Sequence, residues 1–296
     1  MKPYSSFLVG VDFSPTSGIA LRHALRLASG SGGRVRVLHI VDTDVALGLE
    51  SALPSYPKAI REQLVEDARA AWQAFSAAIP GAAAAEFEAV VDALTPGLVR
   101  RARELAAELL VLGAYGDRKP DVGFGTVATS AVRHAHCDVL LVRDSQVQPF
   151  RRIVAAVDFS PTSFAALERA AALAATEGAE LVVLHVFYAP WRDLHYRAPT
   201  MLVEPQMQAK YLALLETRLV EFAAPAVKAL APGRVSHVLE DASSHRTGIP
   251  EVVARLTADL AVLGTRGKTN LRDVLLGSTA EKTLRRASSS VLAVRA

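Results

Sequence analysis

A seven-residue segment occurs twice, letter for letter, in this chain of 296 residues. The segment VDFSPTS spans Val11–Ser17 and again Val157–Ser163, which lies 146 positions further along. Such a repeat indicates that the chain arose by duplication. Because a domain typically holds about 150 residues, the chain length also favours two domains. We therefore predict a first domain over residues 1–147 and a second over residues 148–296.

Each copy of the segment joins a short apolar run to a stretch with helical spacing. The runs SFLVGVD at 6–12 and RIVAAVD at 152–158 have the β-branched composition of buried strands. Apolar runs and helical stretches continue to alternate, which predicts five strands and four helices in each half, with the helix after the second strand at about 58–79. Because parallel strands need crossover helices, this alternation predicts the α/β fold class, with a parallel sheet covered by helices on both faces in each half.

In sheets of this kind, ligands bind beyond the carboxyl ends of the strands. The sharpest pattern at such a place is GTRGKTNLRDVLLGST, in which two residues separate Gly264 from Gly267 and nine more precede Gly277. A loop from a strand to a helix presents backbone N–H groups to an anion, and glycines allow a phosphate to come close. Together with the cations Arg266 and Lys268, this pattern predicts a site for a phosphate chain. The alternative is a long turn in which Ser278 only caps the helix.

The glycine pattern, together with the aspartate after the first strand, resembles the ATP-binding branch of the universal stress protein family. The resemblance covers nearly the whole chain, whose tandem arrangement is similar to that of the two-domain members of the family. It implies a five-stranded Rossmann-like sheet in each half, with strand order 3-2-1-4-5. It also implies ATP, with magnesium, across the strand ends: the adenosine near the first aspartate and the residue ending the second strand, and the phosphates in the glycine loop. The expected binding residues of the second half are Asp158, Val186, Gly264, Arg266, Gly267, Lys268, Gly277, Ser278 and Thr279.

The first half departs from this pattern. Only eight residues separate Gly116 from Gly125, so the loop is one residue shorter than its counterpart. Asp117 replaces Lys268, and Asp121 follows it, so two carboxylates would repel a triphosphate. We expect this half to bind ATP more weakly, to bind something else, or to serve as structural support. Its corresponding residues are Asp12, Ile40, Gly113, Gly116, Gly125 and Thr126.

Other chemistry finds little support in the sequence. His39 and His185 end equivalent strands, but no second ligand stands at a metal-binding spacing, so we expect structural roles and no metal. No G-x-S-x-G nucleophile motif occurs, and Cys137 precedes an apolar strand without an evident activator, so we expect no catalytic residue. The aromatic loop after the second strand of the second half leaves two readings open: Trp191 or Tyr196 could cover an adenine, or the loop could pack against the next helix.

Composition excludes several classes of partner. A net charge of +3, spread among acidic residues, does not favour nucleic-acid binding. No apolar run reaches the roughly 18 to 20 residues of a membrane helix or the form of a secretory signal, and the single cysteine excludes an intrachain disulfide. We therefore expect a cytoplasmic protein without a membrane partner. The last strands of the halves would form sheet edges, which invite pairing, and we expect the two halves to pair with each other there as a built-in dimer. We also expect further association into a homodimer.

Together with these patterns, the family resemblance implies an ATP-binding regulatory protein of the stress response, acting through nucleotide-dependent conformation or assembly. Without an evident general base near the phosphates, we expect slow ATP hydrolysis or none. Two alternatives stay open: a slow nucleotide-cleaving enzyme on the same scaffold, and an interaction scaffold that has lost nucleotide binding in its first half.

The repeated segment itself has two interpretations. A serine followed by proline is typical of a helix start, with Ser14 and Ser160 as the residues that cap the helices. The helix start does not account for the preceding aspartate. We therefore interpret Asp12 and Asp158 as acceptors for the adenosine end of ATP.

Overall fold

The computed structural model describes residues 3–53, 57–116, 123–143, 147–193, 204–242, 244–265 and 276–295. The chain divides into two compact units. One holds Lys2–Gln148 together with Ser290–Leu292, and the other holds Pro149–Ser289 together with Ala293–Ala296. No helix of the described ranges is both long and apolar enough to cross a membrane.

The first half contains a parallel sheet with the strand order β3-β2-β1-β4-β5. Its strands are β1 (Ser6–Gly10), β2 (Arg34–Asp42), β3 (Glu86–Asp92), β4 (Leu109–Gly113) and β5 (Asp138–Val142). Its helices are α1 (Pro15–Ser31), α2 (Thr43–Ala52), α3 (Pro57–Ala77), α4 (Leu94–Glu104) and α5 (Thr126–His134).

The second half repeats this architecture with the order β8-β7-β6-β9-β10, and β6 pairs in parallel with both β7 and β9. Its strands are β6 (Arg152–Ala156), β7 (Glu180–Phe187), β8 (Val235–Asp241), β9 (Leu260–Gly264) and β10 (Ser290–Val294). Its helices are α6 (Pro161–Glu177), α7 (Pro205–Val227), α8 (His245–Arg255) and α9 (Ser278–Arg286). The predicted fold class and the strand order 3-2-1-4-5 of each half are confirmed.

Small residues let helices pack closely on opposite faces of the first sheet. A Cβ atom added to Gly113 would lie 3.0 Å from the backbone carbon of Thr16 in α1. A Cβ atom added to Gly10 would lie 2.6 Å from Leu112 and 3.4 Å from Leu98 of α4. Gly113 follows Leu112 in β4, and neighbouring residues of a strand point to opposite faces of the sheet. Because Gly10 shares its face with Leu112, α4 covers that face and α1 covers the other. The carboxyl ends of β1 and β4 thus lie between two closely packed helices.

One helix was not predicted. Instead of a single helix after β2, the first half has α2 ahead of α3, and Asp42 caps α2 by accepting a hydrogen bond from the backbone N–H of Asp44 (3.0 Å). Within α2 only Ala46 is buried, while Val45 and Leu47 are exposed. Gly48, a poor helix former, lies in the middle of this ten-residue segment, so the sequence gives only a weak helix signal. The prediction of four helices in the first half was wrong for this reason.

Candidate functional site

The repeated segment starts a helix in both halves. The side chain of Ser14 accepts a hydrogen bond from the backbone N–H of Ser17 (3.3 Å), and that of Ser160 accepts one from Ser163 (3.1 Å). The following proline occupies the first turn of each helix, where the missing N–H costs nothing. The predicted capping roles of the two serines are confirmed.

The aspartates contribute to the same turns, which the sequence pattern did not predict. Oδ1 of Asp12 accepts hydrogen bonds from the backbone N–H (3.1 Å) and the hydroxyl (2.5 Å) of Ser14. Oδ1 of Asp158 accepts one from the backbone N–H of Ser160 (3.0 Å). The other oxygen of Asp12 lies beside Gly116, where an added Cβ atom would come within 2.7 Å of it. One carboxylate oxygen therefore shapes the turn while the other faces the loop after β4.

An unusual backbone conformation in the repeat escaped the sequence patterns. Phe13 (φ 60°) and Phe159 (φ 63°) both adopt the left-handed conformation, which is strained for a bulky side chain. Their rings lie against His39 and His185, with centroids 4.5 Å and 4.4 Å apart respectively. The strained turn therefore places an aromatic ring against the strand-two histidine in each half.

Each of these histidines is held by a backbone carbonyl. Nδ1 of His39 lies 2.8 Å from the carbonyl oxygen of Val11, and Nδ1 of His185 lies 2.8 Å from that of Val157. Because a carbonyl oxygen can only accept, Nδ1 carries the proton and donates in both rings. The histidines tie the end of the second strand to the end of the first, a structural role as predicted.

A cavity of about 240 Å³ opens at the carboxyl ends of β1 and β4. Its walls are mostly apolar, and Asp12 is the charged residue among them. Of the first-half residues predicted to bind a ligand, all but Gly116 line this cavity. They are Asp12, Ile40, Gly113, Gly125 and Thr126. The structure thus brings residues from four separate segments of the sequence to one place.

The far wall of the cavity is the start of α5. Gly125 is the residue before this helix, and no side chain caps it. The backbone N–H of Gly125 donates to the carbonyl oxygen of Ala114 (2.8 Å), which fastens the helix start to the end of β4. The hydroxyl of Thr16 donates to the carbonyl oxygen of Tyr115 and joins the loop to α1. The first N–H groups of α5 are thereby presented at the cavity.

Arg143, just after β5, was not singled out from the sequence. Its guanidinium donates to the carbonyl oxygen of Gly123 and lies 5.8 Å from the ring centroid of Tyr115 and 6.0 Å from that of Phe124. It therefore braces the described ends of the loop between β4 and α5. Asp117, Pro120 and Asp121 of that loop lie outside the described residues.

The second half repeats the backbone of this site. Gly264 ends β9, and the N–H of Gly277 donates to the carbonyl oxygen of Thr265 (2.9 Å), as Gly125 does to Ala114. Gly277 precedes α9 without a side-chain cap, so Ser278 is the first helical residue rather than the cap. Thr279 follows it in the first turn.

Val186, the predicted second-strand position, is buried in β7. Gly248 of α8 lies against it, since a Cβ atom added there would come within 2.8 Å of a Val186 methyl group. The predicted residues Arg266, Gly267 and Lys268 lie outside the described residues.

The ring of Trp191 packs against α7, the helix that follows its loop. Its ring centroid is 5.5 Å from that of Tyr211 in α7, in an edge-on arrangement. Arg192 forms an ion pair with Asp241 (3.0 Å), which secures the same segment to the end of β8. These contacts favour packing over the adenine-covering reading for Trp191. Tyr196 lies outside the described residues.

Comparison with known proteins agrees with this architecture. The sequence model described as the universal stress protein family matches residues 3–143 and again 149–295. A universal stress protein of Mycobacterium tuberculosis is 29% identical over 304 residues, covering 97% of this chain and 95% of that protein. A universal stress protein A homolog of Coxiella burnetii is 32% identical over 151 residues, covering 49% of this chain and 96% of that protein.

Solved structures show the same fold over the whole length. A universal stress protein from Archaeoglobus fulgidus superposes with a TM-score of 0.66 at 17% identity, covering 98% of this chain and 97% of that one. A functionally unknown protein from Pseudomonas aeruginosa superposes with a TM-score of 0.64 at 19% identity, covering 99% and 92%. The chain therefore belongs to the universal stress protein family, as a tandem member with one family domain in each half.

Proposed function

We propose that this protein is a nucleotide-dependent regulator whose second half binds ATP with magnesium. The observation that carries the proposal is the cavity of the first half. It gathers an aspartate after the first strand, the end of the second strand and the start of an uncapped helix around one space. The second half has the same strand order, the same aspartate turn and the same glycine-to-carbonyl hydrogen bond, and its sequence carries the complete glycine motif.

Each part of the proposed site has a physical task. The carboxylate of Asp158 accepts hydrogen bonds from the ribose hydroxyls, while Val186 contributes apolar surface beside the adenosine. The uncapped start of α9 at Gly277, Ser278 and Thr279 offers N–H groups and hydroxyls to the phosphates. Arg266 and Lys268 add positive charge in the same loop, and magnesium would neutralise the remaining charge of the phosphates.

The first half binds the same ligand more weakly in this proposal. Its cavity of about 240 Å³ is below the roughly 300 to 1,000 Å³ of ordinary ligand pockets. Its walls carry Asp12 but no lysine or arginine among the residues that line the described cavity. A negatively charged triphosphate gains little there, whereas the apolar walls suit the adenosine end.

Regulation follows from binding rather than turnover. A ligand that prefers one conformation or one assembly shifts the population toward it by the difference in its affinities. We propose a homodimer as the assembly that responds. Any ATP hydrolysis is expected to be slower than about 0.1 per second, since dedicated enzymes turn over at about 1 to 1,000 per second.

Calorimetric titration of the full chain with magnesium and ATP tests the proposal. We expect one tight site, and a Gly277→Val variant in which affinity falls by about 100-fold, because a branched side chain stands before the N–H groups that hold the phosphates. Gly277 has φ −57°, which any residue adopts, so the variant should still fold.

Gly125→Val is the matched control in the first half. A Cβ atom at Gly125 meets its nearest neighbour at 3.6 Å, an ordinary contact, so this variant should fold and keep the tight site. Loss of the tight site in Gly125→Val but not in Gly277→Val would reverse the assignment of the halves. No ATP binding by the unaltered chain would leave the interaction scaffold as the function. A turnover with magnesium well above about 0.1 per second would favour the enzyme.

A further inference from the structure

Thr265 buries a hydroxyl group that has no hydrogen-bond partner among the residues described. The residue is 4% exposed, and it directly follows β9. A hydroxyl removed from water without a partner lowers the stability of the fold. Such an atom therefore calls for an explanation, and a ligand that bonds to it supplies one.

The equivalent residue in the first half is Ala114, and the backbone around the two is the same. The N–H of Thr265 donates to the carbonyl oxygen of Val294 (2.9 Å), and its own carbonyl oxygen accepts from Gly277 (2.9 Å). Ala114 makes the corresponding bonds to Val142 (2.8 Å) and Gly125 (2.8 Å). The two positions therefore differ by side-chain chemistry, a hydroxyl and a methyl group against a single methyl group.

The first half indicates which way this side chain points. Gly113 faces α1, so the next residue in the extended chain faces the opposite side of the sheet, toward α4 and α5. Ala114 is among the residues that line the cavity on that side. By the same alternation Thr265 faces α8 and α9, and its carbonyl bond to Gly277 places it at the uncapped start of α9.

We propose that the Thr265 hydroxyl donates a hydrogen bond to a phosphate group of the nucleotide, and that it makes the second half selective for phosphorylated ligands. A hydroxyl bonded to a charged phosphate oxygen makes a short, strong bond. The start of α9 supplies the N–H groups, and Thr265 adds a donor from the strand side. Ala114 lacks this donor, which separates the two halves. The inference rests on ATP binding by the second half.

The test compares ATP with adenosine in calorimetric titrations of the full chain. Thr265→Val replaces the hydroxyl by a methyl group of similar shape. We expect ATP affinity to fall about tenfold or more, while adenosine affinity stays within twofold of the unaltered protein. Thr265→Ser keeps the hydroxyl and should restore ATP affinity. The melting temperature of ligand-free Thr265→Val should stay the same or rise, because the unpaired hydroxyl is gone.

Thr283→Val is the matched control. Thr283 is 1% exposed, but its hydroxyl donates to the carbonyl oxygen of Thr279 (2.9 Å), so its loss should lower the melting temperature and leave ATP affinity unchanged. Unchanged ATP affinity in Thr265→Val, or an equal loss for adenosine, would overturn the inference while ATP binding by the second half stands. If the unaltered chain does not bind ATP in these titrations, and Gly277→Val gives the same result, both proposals are overturned.

Discussion

The two halves keep the same first turn and differ in what surrounds it. In both, an aspartate, a left-handed phenylalanine and a capping serine follow the first strand in the same geometry. At the end of the fourth strand, by contrast, Ala114 stands where the second half has Thr265. The turn therefore serves the fold as well as any ligand, since it persists beside two different loops.

The packing behind the phenylalanines also differs. Phe75 of α3 meets Phe13 edge-on at 5.5 Å, and Phe222 of α7 meets Phe159 in the same way at 5.4 Å. These equivalent contacts show that α3 and α7 have corresponding positions in the two halves. In the first half Phe87 of β3 also stacks on Trp72 of α3. The equivalent position of the second half, in β8, is occupied by His237. The first half therefore relies on aromatic packing where the second carries polar groups.

The largest expected effect comes from removing that aromatic packing. Trp72 is 5% exposed and stacks on Phe87 with ring centroids 4.6 Å apart. Trp72→Ala should lower the free energy of unfolding by about 3 to 5 kcal/mol, because it leaves a cavity. Urea denaturation followed by circular dichroism measures this. Trp191→Ala, at a less buried tryptophan, should lower the free energy of unfolding by less. Equal losses in the two variants would contradict the greater reliance of the first half on aromatic packing.

The aspartate turns give the next effect, and here the halves should separate in ligand binding. Asp158→Ala should weaken ATP binding about tenfold, or about 1.4 kcal/mol, while Asp12→Ala leaves the tight site unchanged. Both variants should also lose stability, since each carboxylate accepts a bond within its turn.

Asp158→Asn separates the two roles in the same titrations, because its side-chain oxygen can still accept the bond from Ser160. It should keep the stability of the turn and report on the charge alone. Unchanged ATP affinity in Asp158→Ala would mean that the turn by itself explains the repeated segment.

A smaller difference concerns a cation over one of the two phenylalanines. The guanidinium carbon of Arg218 lies 4.3 Å from the ring centroid of Phe159, and the α3 position that corresponds to it is Ala71. Arg218→Gln should lower the free energy of unfolding by about 0.5 to 1 kcal/mol, as expected for an exposed cation over a ring. Thermal denaturation detects this, and Ala71→Gln is the control that should change nothing.

The smallest expected effect is a difference in pH dependence at His237. Burial lowers the pKa of His237 below its ordinary value, and the charge of Glu216 opposes this only in part. The unfolded chain then binds more protons than the folded one as pH falls below about 6.5, so stability decreases in that range and is unaffected above it. His237→Phe, which copies Phe87, should flatten the pH profile of the melting temperature below about 6.5. Parallel profiles for the two proteins would refute this.

Features that depend on nearby residues in the chain could be predicted from the sequence, whereas contacts between distant segments could not. Alternation predicted the α/β class, and the family resemblance implied the strand order. Ser14 and Ser160 were recognised as caps because capping depends on neighbours in the chain. The helix α2 was missed because it is short and Gly48 lowers its helix propensity. Arg143 and Thr265 were missed because their partners, or the lack of them, arise between segments far apart in sequence.

The sequence by itself determined the duplication, the α/β class, the helix starts and the glycine positions, because each of these depends on local spacing and composition. Only the tertiary structure decided that one oxygen of Asp12 accepts bonds within a turn while the other faces a loop, and that residues from five segments line one cavity. It also decided that the hydroxyl of Thr265 is buried without a described partner. Burial and hydrogen-bond satisfaction depend on which distant segments meet, and no pattern along a single chain records that.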